Sequence, residues 1–244
     1  TAEAEAALRK SLGLDKSVIV QYGIFLKNAI RGDFGNSYYF NQPALQLVLN
    51  RIPATMELAL SALAIAVIWS IPAGTISAVK RNSPLDAGVR FFSLLGQSLP
   101  TFWLGLLLIL LFSVHLNWLP SFGYGTGKHL IMPVIALATH SSASITRLMR
   151  SGMLDVLGKE YITAAKAKGV SNRRLIWLHA FKNSINSVLT IIGLQLATLM
   201  GGSIVIENVF AWPGVGRLIV QSIQNRDFMV VEAGVIVIAS VFIV

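Results

Sequence analysis

Gly123-Tyr-Gly-Thr-Gly-Lys128-His129 invites a chemical reading first, because glycine amides followed by a lysine can cradle phosphates. The spacing to Gly127 is one residue short, and His129 stands where a Ser or Thr would hold magnesium. A tight turn is what these residues support, so the chain carries no ATP site of its own. His115, His129, His140 and His179 are scattered without an HxxxH spacing and read as structural or interfacial rather than metal-ligating. With no cysteine, no GxSxG and no HExxH, the sequence offers no thiolate metal site and no activated nucleophile.

The polar residues that remain sit inside apolar stretches, where burial is expensive unless they face a bundle interior or a watery path. Gln97, Ser98, His140, Gln195 and Glu232 are the candidates for lining such a path. Serines can also bond their own helix backbone, which weakens the reading for Ser98. The composition says why a membrane is the setting. The 244 residues are 54% apolar and 13% charged, with a mean hydropathy of +0.66, whereas soluble domains carry about 25% charged residues. Disorder is excluded by the same figures, and a secreted disulfide scaffold by the absence of cysteine.

A membrane-crossing helix needs about 20 apolar residues. Leu58 to Val79 is the first such stretch. Phe91 to Gly127 is long enough for a second span plus a loop beginning near Asn117. Leu130 to Thr146 is a third, extendable through Arg147, Asn183 to Ile206 a fourth, and Phe228 to Val244 a fifth. The expected fold is therefore an all-α polytopic bundle, with residues 54–244 as its membrane domain.

The formal net charge of +9 would suggest nucleic acid in a soluble protein, but here its location matters more than its size. Lys80, Arg81 and Arg90 fall between the first two spans. Arg150, Lys159, Lys166, Lys168, Arg173, Arg174 and Lys182 fall between the third and fourth. The positive-inside rule assigns both loops to the cytoplasm, and residues 1–53 and 207–228 to the outside. Lys16 to Arg31 places Val18, Ile19, Tyr22, Phe25, Leu26 and Ile30 at helical spacing, an amphipathic helix closed by Gly32. Thr1 is not a start Met and an outer segment must be translocated, so a sixth span is expected upstream, and the fifth looks cut short.

Within the loop 150–182, Glu160 to Lys168 is rich in helix formers, Gly169 is a natural stop, and Ser171 is placed to cap a second short helix through Trp177. Two helices hinged at a glycine make a rigid basic knob. An ordinary positively charged loop would carry the same charges. Trp212-Pro213-Gly214-Val-Gly216 predicts a turn, followed by an amphipathic helix from Arg217 to about Gln224.

Glu160-Tyr-Ile-Thr-Ala164-Ala165-Lys-Ala-Lys-Gly169, followed by His179-Ala-Phe-Lys-Asn183, resembles the EAA loop of permease subunits of binding-protein-dependent ABC importers. Gly201-Gly202-Ser-Ile-Val-Ile-Glu207-Asn-Val-Phe-Ala-Trp-Pro213-Gly214-Val-Gly216-Arg217, then Asn225-Arg226-Asp227, resembles the later segment of the dipeptide, oligopeptide and nickel branch. Gly32-Asp33-Phe-Gly35-Asn-Ser37, Pro53-Ala-Thr55-Met-Glu57 and Leu99-Pro100-Thr-Phe-Trp103 are similar to that branch too. The chain departs from the general pattern in having Thr163 directly before Ala164, and Lys182 where a proline is usual.

The resemblance implies a type I importer-like bundle in the inner (plasma) membrane, carrying peptides, nickel chelates or related small solutes. It implies a second homologous permease subunit, two ATPase subunits that hold the ATP and Mg, and an extracytoplasmic substrate-binding protein. Glu160, Ala164, Ala165, Gly169, Val170, Ser171, Arg173 and Arg174 would couple to the ATPases. Trp212, Pro213, Gly214 and Arg217 would form the outer gate and meet the binding protein. A secondary transporter using Glu232 as its ion-coupled carboxylate is the alternative, and a membrane enzyme lacks a catalytic constellation.

Overall fold

A computed structural model describes residues 16–243, which are mostly helical. Residues 1–15, part of the expected outer segment, lie outside the described residues. The helices are α1 (Val18–Ile30), α2 (Ala44–Leu49), α3 (Ile52–Val79), α4 (Pro84–Ser98), α5 (Thr101–His115), α6 (Gly127–Leu157), α7 (Glu160–Ala167), α8 (Asn172–Val209), α9 (Val215–Gln224) and α10 (Phe228–Ile243). They divide into two compact units, residues 16–50 with 218–240, and residues 51–217 with 241–243.

In the larger unit α6 is the hub. It packs most extensively on α3 and also against α4, α5 and α8. The reason is legible along α3, whose buried stripe is almost all small: Ala54, Thr55, Ala59, Ala62, Ala66, Ser70, Gly74 and Ala78. Where lipid gives no hydrophobic drive between helices, small side chains allow the close approach that dispersion needs. At Gly74 a Cβ would lie 2.7 Å from the Thr146 carbonyl oxygen and 2.8 Å from Met149 Cβ, so any side chain there would wedge the two helices apart. Ile68 points away from that stripe and is exposed, as a lipid-facing or subunit-facing side chain would be, and Ile65 and Trp69 are exposed beside the stripe.

In the smaller unit, α1 has no buried residue and its apolar side chains Val18, Ile19, Tyr22 and Ile30 are exposed. Phe34 beyond it is buried and meets Phe25 edge-on at 6.5 Å. The Gly32 to Ser37 segment folds back through a bridge between Asn36 and Pro43, and the Ser37 hydroxyl donates to Asp227 Oδ2. Two segments singled out in the sequence, 190 residues apart, thus meet at one hydrogen bond.

Three sequence expectations need correction. The second span is broken: α4 and α5 meet at 102°, because Pro100 lacks an N–H and drives Leu99 into an extended conformation. The helix after Ser171 is not short, since it runs on for 38 residues into the fourth span. Ser171 has the extended backbone of a cap, yet its side chain makes no capping bond. By length and apolarity alone, Ala44–Val79 and Asn172–Val209 suffice to cross a membrane, with α4 and α5 a third if the bent pair is one crossing. α6 is diluted by Ser141, Thr146 and their neighbours, which are tolerated because the surrounding helices cover them. α10 has 16 residues, about 24 Å of helix.

Candidate functional sites at the two ends of the larger unit

Asp86, from the first basic loop, and Arg150, from the second, form a bidentate pair, so both loops lie at one end of the larger unit. Arg150 Nε donates to Asp86 Oδ1 at 2.8 Å and Nη2 donates to Oδ2 at 2.9 Å. The same carboxylate accepts from Ser77 Oγ at 2.6 Å and from the Asn82 amide at 3.0 Å. Asp86 is 0% exposed, and its own amide donates to the α4 cap Ser83 at 3.2 Å. The Arg150 hydrogen bonds hold the Asp86 carboxyl well below the usual carboxylate range, outweighing the upward push of burial. The sequence reading of this loop rested on Lys80, Arg81 and Arg90 and did not single out Asp86.

At this end α7 covers Glu160–Ala167, with Glu160 in the first turn where a negative charge suits the helix dipole. Its other end closes by two reciprocal bonds, Gly169 N–H to Lys166 O at 3.0 Å and Val170 N–H to Ala165 O at 3.2 Å. That is the pattern of a Schellman cap, and it places Gly169 at φ +80. A Cβ there would meet no atom within 4 Å, so it is backbone conformation rather than space that calls for glycine.

The chain turns at Ser171 into α8, wound as a π-helix over Leu175–Phe181. Ile162 and Leu175 are buried and anchor the turn. Glu160, Ala164, Gly169, Ser171, Arg173 and Arg174 are exposed along it, while Ala165 and Val170 are half-buried. Trp177 and Leu178, also exposed, add an apolar patch beside the two arginines.

The opposite end gathers the other connections. Tyr124 donates to Glu57 Oε2 at 2.8 Å, a contact that pushes its phenol pKa up, and it meets Trp212 edge-on at 4.7 Å. The Gly123 amide donates to Phe210 O at 3.0 Å. Trp212 is buried and donates from Nε1 to Ala54 O at 2.8 Å, and Gly214 is buried as well. Pro213 and Arg217 remain half-buried, so the surface of this turn falls to them. Arg217 Nη1 donates to Ala211 O, a residue held at φ +54.

Glu207 organises this turn. Read from sequence as the first residue of a loop, it belongs to the last turns of α8 and is fully buried. Its Oε1 accepts from Thr55 Oγ1 at 2.8 Å and Ser203 Oγ at 3.0 Å, and its Oε2 accepts from the Arg217 amide at 2.9 Å. Thr55 Oγ1 in turn accepts from the Val215 amide at 2.9 Å. Side chains from α8 and α3 therefore cap the N-terminus of α9, satisfying amides that have no partner within that helix. A Cβ at Gly214 would overlap the Glu207 carboxyl. This accounts for the glycine after Pro213 and for the start of α9 at Val215, two residues before the expected Arg217.

The five path candidates lie on four helices, α4, α6, α8 and α10. Gln97, Ser98 and His140 are exposed on their helices, and Ser98 Oγ bonds its own helix at Leu94 O, 2.9 Å. Gln195 accepts from Ser141 at 3.3 Å, and Glu232 is exposed on α10. A groove of 600 Å³ among α3, α4 and α6 is lined by Trp69, Phe92, Thr139 and Thr146, and by none of the five. Among the described residues no three His, Asp or Glu group to hold a metal.

An all-α membrane subunit with a glycine-capped basic loop at one end is the class that this fold and these sites define. Residues 70–244 match the family of binding-protein-dependent transport system inner membrane components, and the chain belongs to that family. It is 39% identical over 269 residues to the dipeptide transport system permease protein of Alkalihalophilus pseudofirmus, covering 99% of this chain and 81% of that one. It is 40% identical to the oligopeptide transport system permease protein of Bacillus subtilis, covering 95% and 77% of the two chains. To the glutathione transport system permease protein of Escherichia coli O1:K1 it is 39% identical, covering 97% and 77%. The inward-facing structure of the MetNI methionine ABC transporter shares the fold with a TM-score of 0.69 at 18% identity, covering 81% of this chain and 90% of that one.

Proposed function

We propose that this chain is one of two related permease subunits forming the path of an ATP-driven importer for peptides or related small solutes, in the inner (plasma) membrane. The observation that carries the reading is identity near 40% to peptide permeases over almost the whole chain. The Schellman-capped loop at α7 supports a coupling role for Glu160 to Arg174. It is small, basic, exposed and anchored at Ile162 and Leu175, which suits docking on an ATPase. Charge bias puts that loop in the cytoplasm and the Glu207 turn outside, where an extracytoplasmic binding protein delivers cargo. ATP and Mg belong to the two ATPase partners. Their closure moves the loop and shifts the population between inward- and outward-facing arrangements.

The test is uptake of a labelled dipeptide by the complete transporter in proteoliposomes. Uptake that needs ATP and ignores a protonophore supports the proposal. Uptake driven by a proton gradient without ATP overturns it in favour of a secondary transporter.

A further inference from the structure

The Asp86 carboxylate joins four pieces of chain: the last turn of α3 through Ser77, the connecting turn through the Asn82 amide, the first turn of α4 to which it belongs, and α6 through Arg150. Arg150 Nε also lies 3.1 Å from Ser77 Oγ, so the same hydroxyl stands between both charges. Arg90 is the further cation in range, with Nε 3.6 Å from Asp86 Oδ1. From Arg150, α6 continues unbroken to Leu157, and after two intervening residues α7 begins at Glu160. Arg150 therefore sits at the base of the loop that carries the coupling residues.

The neighbouring contacts differ in closeness. One turn from Arg150, α3 and α6 approach so closely at Gly74 that no Cβ would fit. On the α8 side, a Cβ on Gly152 would meet Ser184 at 3.4 Å, an ordinary van der Waals contact. The fork holds α6 to α3 and α4 at a fixed distance and angle, while between α6 and α8 at Gly152 there is space for a methyl group. A bidentate guanidinium–carboxylate pair has that geometric stiffness, and a lysine point charge does not.

We infer that Asp86 and Arg150 are a positioning pair for energy coupling, a strut through which movement of the α7 loop turns α3, α4 and α6 as one body. The inference rests on the coupling role proposed for the loop, and goes beyond it in naming the relay.

The experiment measures ATP hydrolysis and dipeptide uptake separately in the complete transporter, reconstituted with its ATPases and binding protein. Three variants are compared with the parent: Arg150→Lys, the double variant Asp86→Leu with Arg150→Met, and Gly169→Val. The double variant removes both charges together and leaves no buried ion unpaired, and Arg150→Lys keeps the charge if the double variant fails to assemble. Hydrolysis within about twofold of the parent, with uptake per ATP reduced about tenfold in the double variant and less in Arg150→Lys, is the expected result. An unchanged ratio of uptake to hydrolysis in an assembled variant overturns the strut, including the case where both rates fall together as a purely structural role requires. Normal uptake in Gly169→Val would instead sink the coupling reading on which the strut depends.

Discussion

Thr55 and Glu207 share a 2.8 Å hydrogen bond across 152 residues of sequence, and both point their remaining capacity at the first amides of α9. The hydroxyl donates to the carboxylate and accepts from Val215, so it acts as a relay. Replacing it by an isosteric methyl in Thr55→Val leaves the Val215 amide unpaired in a buried place. The expected loss is about 1–3 kcal/mol of stability, read by thermal unfolding in detergent. A variant as stable as the parent would show that the cap is dispensable.

Gly214→Ala is expected to destabilise the same turn by steric overlap rather than by lost bonding, by about 1–3 kcal/mol. Because the overlap is with Glu207, shortening that side chain should relieve it. The double variant Gly214→Ala with Glu207→Asp should unfold at a higher temperature than Gly214→Ala alone, and an additive loss would place the clash elsewhere.

Gly169→Val forces a β-branched residue to φ +80 and is expected to open the Schellman cap, at roughly 1–3 kcal/mol of local strain. Asn tolerates that conformation, so Gly169→Asn should keep most of the ATP-dependent uptake that Gly169→Val loses. Membrane insertion should be normal in both, as judged by alkaline extraction. Equal uptake by the two variants would contradict a conformational requirement at this position.

The Asp86–Arg150 pair makes a pH prediction whose sign reverses on mutation. In the parent the carboxyl is held down, so its contribution is fully present above the ordinary carboxylate pKa near ~4 and is lost only as pH falls below that. In Arg150→Met the carboxyl stays buried without its main partner, which raises its pKa. Stability should then decline as pH rises from about 4 toward neutrality. At pH 7 the variant is expected to lose about 3–5 kcal/mol. Melting curves in detergent between pH 4 and 8 decide it, and parallel profiles for parent and variant would remove the pair from the account.

Single cysteines at Asn82, Ser171 and Asn225, all exposed, test the membrane orientation in intact cells. An impermeant thiol reagent should reach position 225 and spare 82 and 171. Because the Asp86–Arg150 pair places the two basic loops at one end, labelling that separates 82 from 171 would contradict the fold as well as the orientation.

Charge and apolarity carried most of the architecture. Gaps between Glu57 and Lys80 and between Lys182 and Glu207 mark α3 and the long part of α8, and the basic residues between the stretches sort the ends. The α7 stop was readable at Gly169 because a helix-rich segment ran into a glycine. What escaped depends on pairings that local periodicity does not encode. Asp86 finds its partner 64 residues on and Glu207 finds one 152 residues back, and although Glu207 stands in a recognisable segment, nothing local names either partner. The break at Leu99-Pro100 was present as residues, yet the apolar run continues through it, and apolarity alone cannot distinguish a straight span from a bent one.

The central position of α6 has a consequence for how the protein is made. Ser141, Ala143 and Thr146 are shielded by neighbouring helices, while Ile131, Ile135, His140 and Arg147 form its exposed stripe. A helix of that composition gains little by leaving the translocon alone, because its polar positions would face acyl chains. Biogenesis is therefore expected to hold α6 at the lateral gate until it packs on the small-residue stripe of α3. In staged ribosome-nascent chains, α6 should crosslink to α3 before it crosslinks to lipid.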